Sequence, residues 1–165
     1  CLFPSNMESL NELIRRHLNF EGYRLERNGM ELTTDFDSSL PRIYDSRDSQ
    51  LEIALENITN SIKTSGAKKA FYQTAFDGEL QRILVYHDSD NIPGDYLASL
   101  NLGLREIAAN MKYKGPNSNY LIVAAQQLAE FGGNVIVENI TSEAYTMRIT
   151  VELPPIASFN DHSEM

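Results

Sequence analysis

Between Leu51 and Gly133 the apolar residues change period several times, and this succession constrains the fold more than any other feature of the sequence. The first stretch carries a helical apolar stripe formed by Leu51, Leu55, Ile58 and Ile62. Two strand-like stretches and then two helical ones follow, over Lys69–Ala75, Leu80–His87, Leu97–Met111 and Tyr120–Phe131. Helices that accompany neighbouring strands in this order bury their apolar sides against a sheet, so the predicted fold class is α+β.

The remaining segments complete a two-layer sandwich of a mixed sheet packed against helices. A helical pattern covers Ser5–Phe20, and Asn28-Gly29 is a hairpin-type turn signal between strand-like Tyr23–Leu25 and Met30–Thr34. A closing pair of strands is predicted over Val135–Glu138 and Tyr145–Leu153. We therefore expect one domain over residues 1–155 and a disordered tail over residues 156–165.

Composition excludes several classes of function. The 165 residues are 42% hydrophobic and 22% charged, as in an ordinary globular domain. A net charge of −9 repels phosphate, so nucleic-acid binding is not expected. Cys1 stands alone, which argues against a disulfide framework, and no apolar run is long enough to span a bilayer. We expect a cytoplasmic domain without direct membrane contact, although a longer parent protein could be membrane-anchored.

Glu56, Asn60 and Lys63 lie on one polar face of the first helix in the Leu51–Gly133 stretch, opposite its apolar stripe. Their segment, ENITNSIK at residues 56–63, resembles the Asn-containing box of the ATP-binding domain of sensor histidine kinases, within the gyrase, chaperone, histidine kinase and MutL superfamily. The resemblance extends over most of the chain and implies a Bergerat-type fold. It also implies that Asn60 would hold Mg²⁺ and that Lys63 would offset phosphate charge. Composition alone would favour a solvated helix face.

The loop after the second predicted strand departs from the family's first glycine box, Asp-x-Gly-x-Gly, whose acid accepts a hydrogen bond from adenine. Alignment on Ile92-Pro93 places His87 at the acid. Ser89 and Asn91 then replace the two glycines. A one-residue shift puts Asp88 at the acid but recovers no glycine. Because a neutral imidazole cannot replace a carboxylate and nearby acids repel phosphate, we predict that this box is broken.

The second glycine box, Gly-x-Gly-Leu at the start of a helix, is also altered. Counting back from Gly132-Gly133, Ser118 and Tyr120 replace the two glycines. In the family this loop cradles phosphates with backbone N–H groups at a helix N-terminus. Ser118 is a suitable helix cap, and the bulky Tyr120 is predicted to fill the space that a phosphate needs. The phosphate cradle is therefore predicted to be lost.

None of the histidines fits the family's phosphoacceptor. His17, His87 and His162 lie near a helix end, at a loop and in the tail, and none has a His-Glu context on a helix. Each is expected to be a surface or packing residue. Any acceptor hairpin, and any homodimer formed through it, would precede Cys1 in a longer parent protein.

The favoured hypothesis is a nonenzymatic signalling module of a two-component phosphorelay, a pseudokinase domain without bound cofactor. Its expected partner is a response-regulator receiver domain, a kinase or its own dimerisation hairpin. A candidate contact is Leu97–Tyr113, at the position of the family's ATP lid, although its apolar spacing also suits packing on the domain. The alternative is an active, divergent protein-histidine kinase that binds MgATP through Glu56, Asn60, Lys63 and Asp88. An unrelated α+β binding domain is a third option.

Overall fold

The computed structural model describes residues 7–40, 42–109 and 119–154, with backbone alone at residues 7, 8 and 42–49. The described part contains four helices and seven strands. In chain order these are β1 (Met7–Ser9), α1 (Leu10–Arg27), β2 (Glu31–Asp35), β3 (Arg42–Tyr44), α2 (Asp45–Thr64), β4 (Lys69–Phe76), β5 (Gln81–His87), α3 (Gly94–Ala108), α4 (Tyr120–Ala129), β6 (Asn134–Asn139) and β7 (Met147–Leu153). The predicted boundary at residue 155 and the tail lie outside the described residues.

Five strands form one mixed sheet in the order β2-β4-β5-β7-β6, and β1 pairs with β3 in a small separate ladder. β2 runs parallel to β4, and the other neighbours are antiparallel. Alternate residues of the central strands are buried, including Tyr72, Ile83, Val85 and Ile149. These side chains meet the apolar stripes of α1, α2 and α4 in one core. The predicted two-layer α+β sandwich is confirmed.

The predicted hairpin around Asn28-Gly29 is wrong. α1 runs on to Arg27, because Leu18 and Leu25 continue its buried side through the segment predicted as a strand. Gly29 has φ +87°, and Met30 N–H donates to Leu25 O at 3.0 Å, which closes the helix in a left-handed turn. A positive φ serves a helix end as well as a hairpin, and the sequence signal does not separate the two.

The other elements agree with the sequence, with shifted ends. The strands on either side of the Asp77-Gly78 turn, the helix before Gly132-Gly133 and the closing strands are all present. α3 begins at Gly94 rather than Leu97, because Pro93 presets the backbone for a helix start. It ends at Ala108, and the predicted Met111 end lies outside the described residues. No helix of the described part is both long and apolar enough to cross a membrane.

Two asparagine side chains connect β6 to neighbouring segments. Asn101 on α3 accepts from Val137 N–H at 3.0 Å and donates to Val137 O at 2.8 Å, so its amide imitates a neighbouring strand at the free edge of β6. Asn139, at the end of β6, makes the same two-bond exchange with the backbone of Ile92 in the loop after β5, at 3.0 and 2.7 Å. Together they fix the loop after β5 and the helix α3 to the edge of the sheet.

Gly133 is the tightest glycine between α4 and β6. A Cβ there would stand 3.2 Å from Glu152 O, Leu128 Cβ and Leu153 Cδ2. We expect Gly133→Ala to lower the free energy of unfolding by about 1–3 kcal/mol, since it overpacks a junction that includes backbone. Gly94→Ala is the matched control, because a Cβ at Gly94 meets nothing within 4 Å. Urea denaturation of both variants tests this, and equal stabilities would contradict it.

Candidate functional site

A cavity of about 160 Å³ lies at the end of β5, between the sheet and helices α2 and α4. This is the place where the sequence resemblance puts the nucleotide base. Apolar side chains form the larger part of its wall, and five polar residues, including one acid, line the rest. The lining residues are Ser61, Ser65, His87, Ser89, Asp90, Ile92, Leu121, Val137, Met147 and Ile149. Ligand sites for drug-sized molecules usually have about 300–1,000 Å³, and the cavity formed by the described residues is smaller than that range.

His87 is the last residue of β5 and only 5% of its surface is exposed. Its Nδ1 lies 2.9 Å from Ser89 Oγ, which is buried as well. Burial lowers the pKa of His87 to about 4, against a smaller raising effect from Asp88. The imidazole is therefore neutral at physiological pH. The position that resembles the family's adenine-binding acid holds a neutral ring with one nitrogen already engaged by a hydroxyl.

Asp88 is engaged in backbone capping. Its Oδ1 accepts from the main-chain N–H groups of Lys68 and Lys69, at 2.7 and 3.1 Å. These bonds fix the turn that leads into β4. Asp88 directly follows β5, its carboxylate is bonded to the loop before β4, and it does not line the cavity. The acid among the lining residues is Asp90, and the one-residue shift of the alignment does not bring Asp88 there.

The N-terminus of α4 is capped by its own chain. Asn119 Oδ1 accepts from Leu121 N–H at 2.8 Å, so Asn119 is the cap rather than Ser118, which lies outside the described residues. This bond occupies a backbone N–H group that could otherwise donate to a phosphate at the helix N-terminus. Tyr120 is 39% exposed and does not line the cavity. The prediction that Tyr120 fills the space of a phosphate stays a prediction, because the residues before Asn119 lie outside the described part. The residue of this helix start that lines the cavity at His87 is Leu121.

The Asn-containing box is spread over different parts of α2. Glu56 is exposed and lines a groove between α1 and α2. Lys63 is half-buried and lines another depression beside Gly29 and Gly66. Seven helical residues, about 10 Å, separate Glu56 from Lys63. Asn60 is half-buried between them. The structure therefore brings neither Glu56 nor Lys63 to the cavity that His87 lines.

Several residues of the cavity escaped the sequence reasoning. Ser61 and Ser65 reach it from α2, and Asn57 on the same side of the helix bonds Gln127 of α4 at 3.2 Å. The signal for Ser61 was present, because it directly follows Asn60 in the box. No comparable indication existed in the sequence for Leu121 and Met147, because their apolar pattern is that of ordinary core residues.

A larger groove of about 510 Å³ lies between α3 and β6 and shares no residue with the cavity at His87. Arg105 is its one charged lining residue. No group of three or more His, Cys, Asp or Glu side chains within the described residues could hold a metal ion. The cavity at His87 is thus the part of the described surface that corresponds to the expected base site.

Sequence comparisons found no matching family model and no matching curated protein. Solved structures match well. The nucleotide-free catalytic domain of histidine kinase ThkA has a TM-score of 0.67 at 17% identity, covering 90% of this chain and 95% of that domain. The mycobacterial sensor histidine kinase MprB has a TM-score of 0.62 at 16% identity, with 90% and 96% coverage.

Two further matches place the same domain within longer proteins. Acinetobacter baumannii histidine kinase AdeS has a TM-score of 0.61 at 15% identity, over 91% of this chain and 68% of that chain. ThkA in complex with the response regulator TrrA has a TM-score of 0.62 at 17% identity, over 90% of this chain and 41% of that one. The fold of this chain is therefore that of the histidine kinase catalytic domain.

Proposed function

We propose that this chain is a degenerate histidine-kinase-type ATP-binding domain that acts without catalysis, as a protein-interaction module of a two-component phosphorelay. The observation that carries the proposal is the cavity at the end of β5. It measures about 160 Å³ and has neutral His87 at the position that resembles the adenine-binding acid. A nucleotide therefore meets a small and largely apolar cavity, and MgATP does not fit the residues present.

The expected loss of affinity can be sized. A hydrogen bond to a charged group contributes about 1.5–3 kcal/mol, so losing the adenine–carboxylate bond weakens binding about tenfold to a hundredfold. The self-capped start of α4 removes a further donor from the phosphates, because Leu121 N–H is bonded to Asn119. The first loss affects the adenine end of ATP and the second affects its phosphates. Together they support a domain that has no useful affinity for ATP.

The proposed partner is a protein of the phosphorelay, such as a receiver domain, a kinase or the chain's own dimerisation hairpin. Support comes from the fold, since a domain of this fold occurs in the ThkA complex with the response regulator TrrA. A module that keeps the fold but lacks the nucleotide site can still bind other proteins through its outer surfaces. Its binding is then independent of ATP.

An active, divergent kinase is the second candidate. The observation that favours it is the position of Asn60 and Lys63, which are half-buried on α2 and so retain access to solvent. In this candidate Asn60 would be the Mg²⁺ ligand. The engagement of Asp88 by the two main-chain N–H groups before β4 counts against it, because this candidate assigns that carboxylate to adenine.

Thermal melting with and without millimolar MgATP separates the two candidates. A ligand present at 100 times its Kd adds about 2.7 kcal/mol of stability, which raises the Tm by several degrees for a domain of this size. We expect no shift for this chain. An upward shift that disappears in Asn60→Ala would refute the nonenzymatic proposal. Thr64→Ala, an exposed change on the same helix, is the matched control and should behave like the parent protein.

A further inference from the structure

The outer face of α1 carries an exposed stripe of arginine and aromatic residues. Phe20 stands four residues after Arg16, Tyr23 and Arg24 stand three and four after Phe20, and Arg27 completes the next turn, so all five share one side of the helix. Phe20 and Tyr23 are 68% and 65% exposed, the largest values among the exposed apolar side chains of the described part. Aromatic and arginine side chains are the residues most enriched at the energetic centres of protein interfaces.

A groove runs beside this stripe, between α1 and α2. It has about 380 Å³ and is lined by Phe20, Ile53, Arg16, His17, Glu52 and Glu56. Ile53 is 43% exposed, so apolar surface is available on both walls. The Arg16–Glu52 ion pair, at 2.7 Å, joins the two helices. The groove therefore has an apolar interior large enough for one or two side chains of a partner, with charged residues at its margin.

The arginines of the stripe are positioned to receive carboxylates. Arg24 lies over the ring of Phe20 at 5.7 Å, and Arg27 over the ring of Tyr23 at 5.6 Å. Stacking holds a guanidinium flat against an aromatic face and leaves its N–H edge directed sideways. The nearest acid to Arg24 is the buried Glu21, at 3.8 Å, which is beyond hydrogen-bonding distance. Preorganised guanidinium edges beside an apolar groove favour an acidic partner.

We propose that the α1 stripe and the groove beside it bind an acidic amphipathic helix of another protein. An apolar side chain of that helix enters the groove between Phe20 and Ile53, and its carboxylates meet Arg24 and Arg27. Phe20 and Arg27 are two helical turns apart, about 10 Å, so the partner's acids lie two turns from its apolar anchor. The proposal rests on the proposed function as an interaction module and names the surface that it uses.

Charge argues against a second copy of this chain as the occupant. A symmetric antiparallel contact centred between Phe20 and Tyr23 would bring Arg16 of one copy near Arg27 of the other. Like charges across an interface cost free energy and suppress such pairings.

The test uses a synthetic amphipathic helix with two leucines one turn apart and glutamates two turns beyond the first leucine. Its counterpart has lysine in place of each glutamate. Fluorescence anisotropy with the full chain should show binding of the acidic peptide, at least about tenfold weaker binding of the lysine peptide, and weakening at high ionic strength. Phe20→Ala and Arg27→Glu should each weaken the acidic peptide about tenfold. The Tm should not change, because both side chains are exposed.

Matched controls lie on α3, where Tyr96 is 58% exposed and Arg105 is exposed. Tyr96→Ala and Arg105→Glu should leave peptide binding as it is. The proposal fails if the acidic peptide does not bind, if both peptides bind alike, or if Arg27→Glu has no effect. It also fails if phosphatidylserine vesicles bind the stripe and the peptide does not, or if Phe20→Ala dissolves a dimer seen by sedimentation.

The two proposals fail separately. Phe20 and Arg27 do not line the cavity at His87. A stabilising effect of MgATP with intact peptide binding would therefore overturn the proposed function alone. Loss of peptide binding without an effect of MgATP would overturn the docking surface alone.

Discussion

Acidification from pH 7 to pH 4 is expected to lower the free energy of unfolding by about 3 kcal/mol through His87. The pKa of this buried residue is about 4 in the folded protein, against 6.5 for an exposed histidine. Between those values the unfolded chain binds more protons, so stability is complete above pH 6.5 and is lost as the pH falls towards 4. The size follows from about 1.36 kcal/mol per unit of pKa difference. Urea denaturation at several pH values measures it.

His87→Asn is the matched variant for this pH dependence. It retains a polar group beside Ser89 but does not titrate, so most of the slope between pH 6.5 and pH 4 should disappear. A smaller slope of the same sign should remain, because burial also lowers the pKa of His17. Asp37 and Asp77 have lowered pKa values and act below this window, where their carboxylates take up protons. An unchanged slope in His87→Asn would mean that His87 is not the titrating group.

Thr59→Val is expected to cost about 2–4 kcal/mol, although it barely changes the shape of the side chain. Thr59 Oγ1 lies 2.8 Å from His17 Nε2 and 2.7 Å from Tyr72 OH, all in the core beneath α1 and α2. Burial raises the pKa of Tyr72 to about 12, so its hydroxyl remains neutral and needs a hydrogen-bond partner in the core. Valine would leave two buried polar groups without their shared partner, at about 1–3 kcal/mol each. Chemical denaturation with urea gives the difference directly.

Thr64→Val on the same helix is the control for intrinsic effects of the substitution. Thr64 is exposed and bonds only within the last turn, from Oγ1 to the carbonyls of Asn60 and Ser61. Its replacement should change stability by no more than about 0.5 kcal/mol, as for most surface changes. If the two valine variants have the same stability, the hydroxyl of Thr59 has no special role.

Much of the fold could be predicted because the spacing of the apolar residues in the sequence matches the faces that are buried in the structure. The stripe at Leu51, Leu55, Ile58 and Ile62 is fully buried in α2, and the alternation over β4 and β5 matches their buried faces. The hairpin at Asn28-Gly29 could not be separated from a helix end, because both need a residue with positive φ. The burial of Leu18 and Leu25 in the common core, which appears only in three dimensions, continues the helix past the segment predicted as a strand.

The candidate site was less predictable than the fold. Sequence alignment identified His87 and the absent glycines, and His87 does line the cavity. It could not show that Asp88 caps the turn before β4 or that Asn119 caps α4, because these bonds join a side chain to backbone groups placed by the fold. It also gave no sign that Leu121, next to Tyr120, would line the cavity at His87. The spacing of residues in the sequence gives the order of the site positions. The direction in which each side chain points depends on how its helix packs in the folded domain.

The bidentate amide of Asn101 has a consequence for how this domain can associate. A strand from another molecule that sought to extend the sheet at Val137 would have to displace α3 and break two hydrogen bonds before gaining any of its own. Sheet-to-sheet polymerisation is disfavoured at that point without any charged residue being needed there. Contacts between crowded copies of the domain are therefore expected to involve helices rather than strand pairing at this edge of the sheet.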